Sequence, residues 1–350
     1  MSTTVVSRSE RPPPAPAGTG ARRLTERVFR IRESGIIVVL VVFVAVTASI
    51  QPRFLNITNI QFILVNTTVF ALLALGETMV VISRNYDLSV GSVLGLSAYL
   101  SASLFGQHHG IPIVVVFLAG LGIGLACGLL NGIMVAAGQV PSLVVTLATL
   151  YIFRGIDILI VGGKEVVANS LPDAFLNIPK ATVFGIPILA IAVAAVIAIG
   201  AYYLRSFRSG RELYAMGSNP EAARLAGIGV GRRVFMAFTV SGAIAGVAGV
   251  LWAAQYGTID STAGTGYELQ VISAVVVGGV AIFGGSGSAV GAALGALLLN
   301  TISSALYVLG ISPFWDQAIW GFLLLVAITL DRFISVRLTA ALRVRGARHE

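Results

Sequence analysis

Five ionisable side chains, Glu77, Arg84, Asp87, Arg154 and Asp157, lie within or beside long apolar runs. In hydrocarbon a charged group costs at least about 2.5–3.5 kcal/mol and needs a partner or water. Each is therefore a candidate for ion pairing, helix capping or proton transfer. Arg84 and Asp87 stand at a turn between two runs, where Arg84 can pair with Asp87 and Asp87 or Ser89 can cap the following helix. Glu77 lies inside a run, where a proton-coupled carrier would place its carboxylate. Other chemistries lack their residues. Lys164 precedes Glu165 and Lys180 lies in Pro179-Lys180-Ala181, so no G-x-x-x-x-G-K-[ST] loop exists to cradle phosphate. H-E-x-x-H, G-x-S-x-G and G-x-G-x-x-G are all missing. Cys127 stands alone, His108 and His109 have no carboxylate beside them, and His349 is near the end. Neither a catalytic constellation nor a metal site is expected.

A second group of residues suits docking. Gly217-Ser218-Asn219-Pro220-Glu221-Ala222-Ala223-Arg224-Leu225-Ala226-Gly227 reads as a short, bounded helix. Asn219 is a favoured N-cap and Pro220 fits the first helical position. Glu221 complements the positive end of the helix dipole, and Gly227 can take the left-handed C-terminal cap. Isolated helices below about 12 residues are marginal, so this one must dock, on its own bundle or in a groove of a partner.

The elements that position these residues follow from composition. The chain has 350 residues, 56% hydrophobic and 11% charged. A soluble domain carries about 25% charge, so an all-α integral membrane protein is expected. Spans of about 20 residues fit at 36–50, 59–82, 90–105, 112–137, 141–161, 183–204, 234–256, 269–283, 289–309 and 316–331, about ten in all. Arginines concentrate at 22–32, 205–233 and 332–348. The positive-inside rule makes these segments cytoplasmic, with both termini inside and loops 162–182 and 257–268 outside. Three regions result: a disordered and basic cytoplasmic segment 1–34, a transmembrane region 35–331 containing the loop 205–233, and a basic cytoplasmic tail 332–350. No folded basic domain remains to bind nucleic acid.

Small residues recur at four-residue spacing. Gly120, Gly124, Gly128 and Gly132 share one face, as do Gly287, Gly291 and Gly295, and Gly242 with Gly246. Such faces let helix backbones approach closely in lipid. Val90-Gly91-Ser92-Val93-Leu94-Gly95 is similar to Val290-Gly291-Ala292-Ala293-Leu294-Gly295, and transporters are often built from repeats. Hydroxyls and amides outnumber charges in the apolar runs. Asn66, Thr68, Ser97, Asn131, Thr146 and Asn300 are candidates to line a path for a neutral, hydrogen-bonding solute, or to bond helix to helix.

Glu221-Ala222-Ala223 with Gly227 resembles the cytoplasmic E-A-A…G loop of bacterial ABC importer permeases. Asn85-Tyr86-Asp87-Leu88-Ser89-Val90-Gly91-Ser92 is similar to the G-I-D-L-S-V-G-S signature of the ribose/xylose/arabinose-type family. Asn131-Gly132 with Pro141-Ser142, and Val277-Gly278-Gly279-Val280 with Gly284-Gly285-Ser286-Gly287, resemble two further segments of that family. Leu143 departs from it, standing where the family has an aromatic residue. Arg84-Asn85, Arg154-Gly155-Ile156, Gly162-Gly163-Lys164 and Thr265-Gly266-Tyr267-Glu268 look like its rhamnose and autoinducer-2 group. The resemblance covers about residues 36–331. It implies a multi-pass permease of the bacterial inner membrane that is not an enzyme and imports a sugar. ATP and Mg would bind a separate cytoplasmic ATPase subunit, engaged through Asn219, Pro220, Glu221, Ala222, Ala223 and Gly227. A second permease chain, identical or sister, and an extracytoplasmic solute-binding protein complete the expected assembly. A branched-chain amino acid permease and a proton-coupled carrier are the alternatives.

Overall fold

The computed structural model describes residues 33–108 and 110–346. Most of segment 1–34, His109 and His349 lie outside the described residues. In chain order the elements are α1 (Ser34–Ile50), α2 (Ile57–Ile82), α3 (Val90–Gln107), α4 (Ile113–Ala136), α5 (Ser142–Val161) and the single turn α6 (Asp173–Leu176). A hairpin of β1 (Thr182–Val183) and β2 (Ile186–Pro187) pairs Thr182 with Pro187 and Val183 with Ile186. Then follow α7 (Ile188–Ser206), α8 (Arg208–Ser218), α9 (Pro220–Leu225), α10 (Val230–Tyr256), α11 (Tyr267–Val277), α12 (Ala289–Val308) and α13 (Trp315–Gly346).

A helix stands at each place where a span was expected. Six of them, α2, α4, α5, α7, α10 and α12, are long and apolar enough to cross a membrane. The apolar helices α1, α11 and Trp315–Thr329 of α13 are shorter. α3 has 18 residues and no Asp, Glu, Lys or Arg, but Ser92, Ser97, Ser101 and Ser103 dilute its hydropathy.

α11 departs most from expectation. The run 269–283 was expected to cross, yet the helix ends at Val277 after 11 residues. At 1.5 Å per residue it spans about 16 Å, roughly half of the 30 Å hydrocarbon core. The stretch 278–288 turns back on itself, with Ala281 N–H donating to the Ser286 carbonyl at 2.9 Å.

α2 is apolar all round and forms the centre of the bundle, as such helices do. It is buried from Thr67 through Ile82 and packs against α7, α10, α11 and α12. The glycine face of α4 meets α10. A Cβ on Gly124 would strike the Gly242 carbonyl and the Gly246 backbone, and one on Gly128 the Phe238 carbonyl. Gly120 faces Val250 and the Gly246 carbonyl, and Gly132 faces Phe235. Gly291 and Gly295 bring α12 against Gly278 and Ala274 at the end of α11. Gly287 does not share that helix face. Ser288 is the N-cap of α12, its hydroxyl accepting from Gly291 N–H at 2.9 Å. Gly287 thus precedes the helix, at φ 149°, against Val280.

Candidate functional site: a docking platform and a buried polar centre

The segment after Ser218 folds as its residue types dictate. The Asn219 carboxamide oxygen accepts from Glu221 N–H and Ala222 N–H, both at 3.1 Å. Pro220 occupies the first helical position. At the other end Gly227 is left-handed, φ 78°. Its N–H donates to the Arg224 carbonyl and Ile228 N–H to the Ala223 carbonyl, each at 3.0 Å. These two hydrogen bonds close the C-terminus as a Schellman cap. Only Ala223 of the six helical residues is buried. Glu221, Ala222, Arg224 and Leu225 face outward, Leu225 at 91% exposure. α9 therefore rests on its own bundle by one small residue and presents the rest to the surroundings.

α8, which the charge-based reading of 205–233 did not separate, seats α9. Gly210, Glu212, Leu213, Met216 and Gly217 are its buried face. Gly217 lies against the Ile82 carbonyl and Gly285 N, where no side chain would fit. Gly285 N–H donates to the Ile82 carbonyl at 2.9 Å, and the Tyr214 hydroxyl to the Gly287 carbonyl at 3.0 Å. The end of α2, stretch 278–288 and α8 thus form one platform.

Glu212 ties α8 to α10. It accepts from Arg208 at 2.8 Å and from Arg233 at 2.5 Å. Hydrogen bonds from Arg208, then Arg233, hold this carboxyl below the ordinary carboxylate range. Because the folded value is depressed, its contribution is present above the unfolded value of about 4.3 and is lost as pH falls through the folded one. Acidification below about pH 4 should lower the protection of α8 amides relative to their intrinsic exchange rate at the same pH. Glu212→Gln should lower protection at neutral pH and flatten this acid-dependent loss; an unchanged pH profile in that variant would show that another group carries it.

Arg84 does not pair with Asp87. At φ 66° it turns outward, and its guanidinium donates to the Ser218 carbonyl at 2.9 Å, one residue before the N-cap of α9. Asp87 turns inward and is 1% exposed. Its Oδ1 accepts from Ser89 N–H at 3.0 Å and the Ser89 hydroxyl at 2.6 Å, with the Ser241 hydroxyl 3.4 Å from Oδ2. Asp87 N–H in turn donates to Glu77 Oε1 at 3.1 Å. Asn131 donates to the Ser89 hydroxyl at 2.8 Å, and Thr146 to the Tyr86 carbonyl at 3.1 Å. Two fully buried carboxyl groups, Glu77 on α2 and Asp87 on segment 84–89, thus sit in a network of neutral polar groups from segment 86–89, α4, α5 and α10. Residues 84–89 join this centre to the platform, and the Tyr86 hydroxyl reaches the Ile282 carbonyl at 2.5 Å.

Of the proposed path residues, the fold brings Asn131 and Thr146 together on segment 86–89. The others are dispersed. Ser97 donates to the Gly246 carbonyl across to α10 at 2.7 Å. Asn66 accepts from Gln255 at 2.8 Å and Tyr256 at 3.2 Å. Thr68 and Asn300 bond back to the carbonyls of Val65 and Ala296 on their own helices. At the end of the bundle away from α9, Arg154 donates to the carbonyls of Ser261 at 3.2 Å and Ala263 at 2.6 Å, and Asp157 lies 3.8 Å from it. This fastens stretch 258–266 against α5, while an antiparallel bridge of Val166 with Ile259 joins the two loops expected outside. Among the described residues no group of three His, Cys, Asp or Glu could hold a metal ion.

Long apolar helices packed through glycines, with a capped, outward-facing helix linked to a buried polar centre, make an all-α integral membrane protein. The chain belongs to the family described as branched-chain amino acid transport system / permease component, which it matches over residues 59–328. It is 34% identical over 308 residues to the autoinducer 2 import system permease protein LsrC of Enterobacter sp. (strain 638), covering 88% of this chain and 89% of the relative. It is also 34% identical over 302 residues to the ribose import permease protein RbsC of Haemophilus influenzae, covering 86% and 93%. RbsC of Escherichia coli (strain K12) is 33% identical over 305 residues, covering 86% and 94%. No solved structure matches the chain. The chain is a transport permease of the membrane, not an enzyme.

Proposed function

We propose that this chain translocates a neutral sugar or sugar-like polyol as the permease of a binding-protein-dependent ABC importer. The observation that carries the reading is α9: doubly capped, outward-facing and bonded through Ser218 to the segment that runs to Asp87. A cytoplasmic ATPase subunit, holding ATP and Mg, engages Asn219 to Gly227. This puts the α8–α9 end inside, both termini inside, and loops 162–182 and 257–268 outside for the solute-binding protein. The apolar helices, with stretches 258–266 and 278–288 completing the shorter α11, make the ten passages through the bilayer, and a second permease chain completes the path. ATP binding then favours the outward-open state that the loaded binding protein also favours. The ribose and autoinducer 2 relatives support a neutral solute. A zwitterionic amino acid, which the family description allows, would need charges or helix ends at the site.

The buried pair Glu77 and Asp87 favours one second reading, proton-coupled transport. Uptake into vesicles containing the permease, ATPase and binding protein separates the two. Glu77→Gln keeps shape and hydrogen-bonding capacity but cannot ionise. Uptake by this variant should persist, require ATP and survive an uncoupler. Loss of accumulation on either Glu77→Gln or uncoupling, with ATP dispensable, would assign the transport to protons.

A further inference from the structure

A groove runs between α7 and α12 along the outer surface of the bundle. Its apolar part, about 300 Å³, is framed by Ala190, Ala194 and Ala198 of α7 and by Val290, Ala293 and Leu297 of α12, with α2 as floor. The alanines recur four apart and leave a furrow where larger side chains would fill the space. At Val290 the groove meets a second cavity of about 680 Å³. That cavity is polar on one side, where Arg205, Arg211, Tyr214 and Ser288 converge. Ala190 to Arg205 rises about 22 Å at 1.5 Å per residue. That is one leaflet, half of a bilayer about 40–45 Å thick with its headgroups.

The charges fit a diester phosphate. Arg205 pairs with no carboxylate among the described residues. Arg211 uses one guanidinium nitrogen on the Ser206 carbonyl at 2.6 Å, which leaves donors on the others. Glu33 is the opposing charge in the cavity, and its Oε1 is occupied by the Ser288 hydroxyl at 2.6 Å. Two cations against one carboxylate leave a net positive site at the mouth of an apolar furrow. Basic pockets between membrane helices hold anionic headgroups in this way.

We propose that this groove holds one anionic phospholipid, its phosphate at Arg205 and Arg211 and an acyl chain along the alanine furrow between α7 and α12. The lipid would fasten α7, and with it α8, to α12 at the platform. The site does not depend on which solute the permease carries.

Native mass spectrometry of the full chain, purified in detergent and exposed to equal phosphatidylglycerol and phosphatidylcholine, tests the proposal. The expected result is one retained phosphatidylglycerol, favoured at least tenfold. Arg205→Gln with Arg211→Gln, both exposed positions, should erase that preference without changing the protein's melting temperature in lipid-free detergent. Val290→Trp, which blocks the junction of the two cavities, should reduce retention of both lipids. Soluble glycerol phosphate should not displace the lipid at the same concentration. Equal retention of both lipids by the native chain, displacement by glycerol phosphate, or an unchanged preference in the double variant would overturn the proposal. So would loss of the preference on deleting residues 1–32, which would assign the site to the arginines of that segment.

Discussion

Gly124→Leu is expected to remove most of the folded protein from the membrane, while Gly122→Leu, half a turn away, leaves it intact. A Cβ at position 124 would meet backbone on α10, the Gly242 carbonyl and Gly246. Backbone cannot rotate away as a side chain can, so the whole α4–α10 contact must open. Overpacking costs about 1–3 kcal/mol where neighbours can shift, and more where they cannot. Opening the whole α4–α10 contact removes a large share of a total stability of about 5–15 kcal/mol, and chains that cannot close it are lost during assembly in the membrane. A Cβ at position 122 has nothing within 4 Å. Monodisperse yield after detergent extraction should fall severalfold for the first variant. The second should match the native chain. Equal yields would show that the glycine contact does not hold these helices together.

Gly227→Val should leave protein levels normal and abolish most uptake. The position is left-handed at φ 78°, with nothing within 4 Å of a Cβ, so the effect is conformational alone. A side chain there costs roughly 1–2 kcal/mol, and more for a β-branched one. The Schellman cap would open in most molecules, and α9 has too few buried contacts to compensate. Uptake and solute-stimulated ATP hydrolysis should both fall more than fivefold. Gly227→Asn should be milder, since Asn tolerates this region. Native uptake by the valine variant would remove α9 from the coupling step.

Much of the molecule is legible in its residue pattern. Apolar runs locate the helices, four-residue glycine spacing marks the face of α4, and Asn219-Pro220 with Gly227 bounds α9 to the residue. What is hidden depends on chain reversal. Hydropathy sees residues 269–283 as one apolar run, because glycines count as mildly apolar whether a helix continues or turns back. Glu77 and Asp87 lie ten positions apart across a reversal, so no helical spacing connects them. Arg84 and Asp87 are neighbours in sequence, yet the positive φ at Arg84 sends the two side chains to opposite sides. α8 carries a helical signal of its own, Gly210, Leu213 and Gly217 lying three and four apart, but the arginines around it mark sidedness more strongly than helix. The glycine face of α4 meets residues of α10 more than a hundred positions away, as Gly124 meets Gly242, and only the fold brings them together.

The short length of α9 has a consequence for assembly. Six residues with one buried side chain cannot hold a helix unaided. Their order depends on Ser218, fixed by Arg84, and on Gly217, seated between the end of α2 and stretch 278–288. Those supports come from segments far apart in the chain, the last of them synthesised well after α9 itself. A nascent or misfolded chain therefore displays no shaped surface at residues 219–227. If α9 is the coupling element proposed above, it becomes available to an energy-supplying subunit only once distant parts of the bundle have met, and incomplete chains would be left without a partner to drive them.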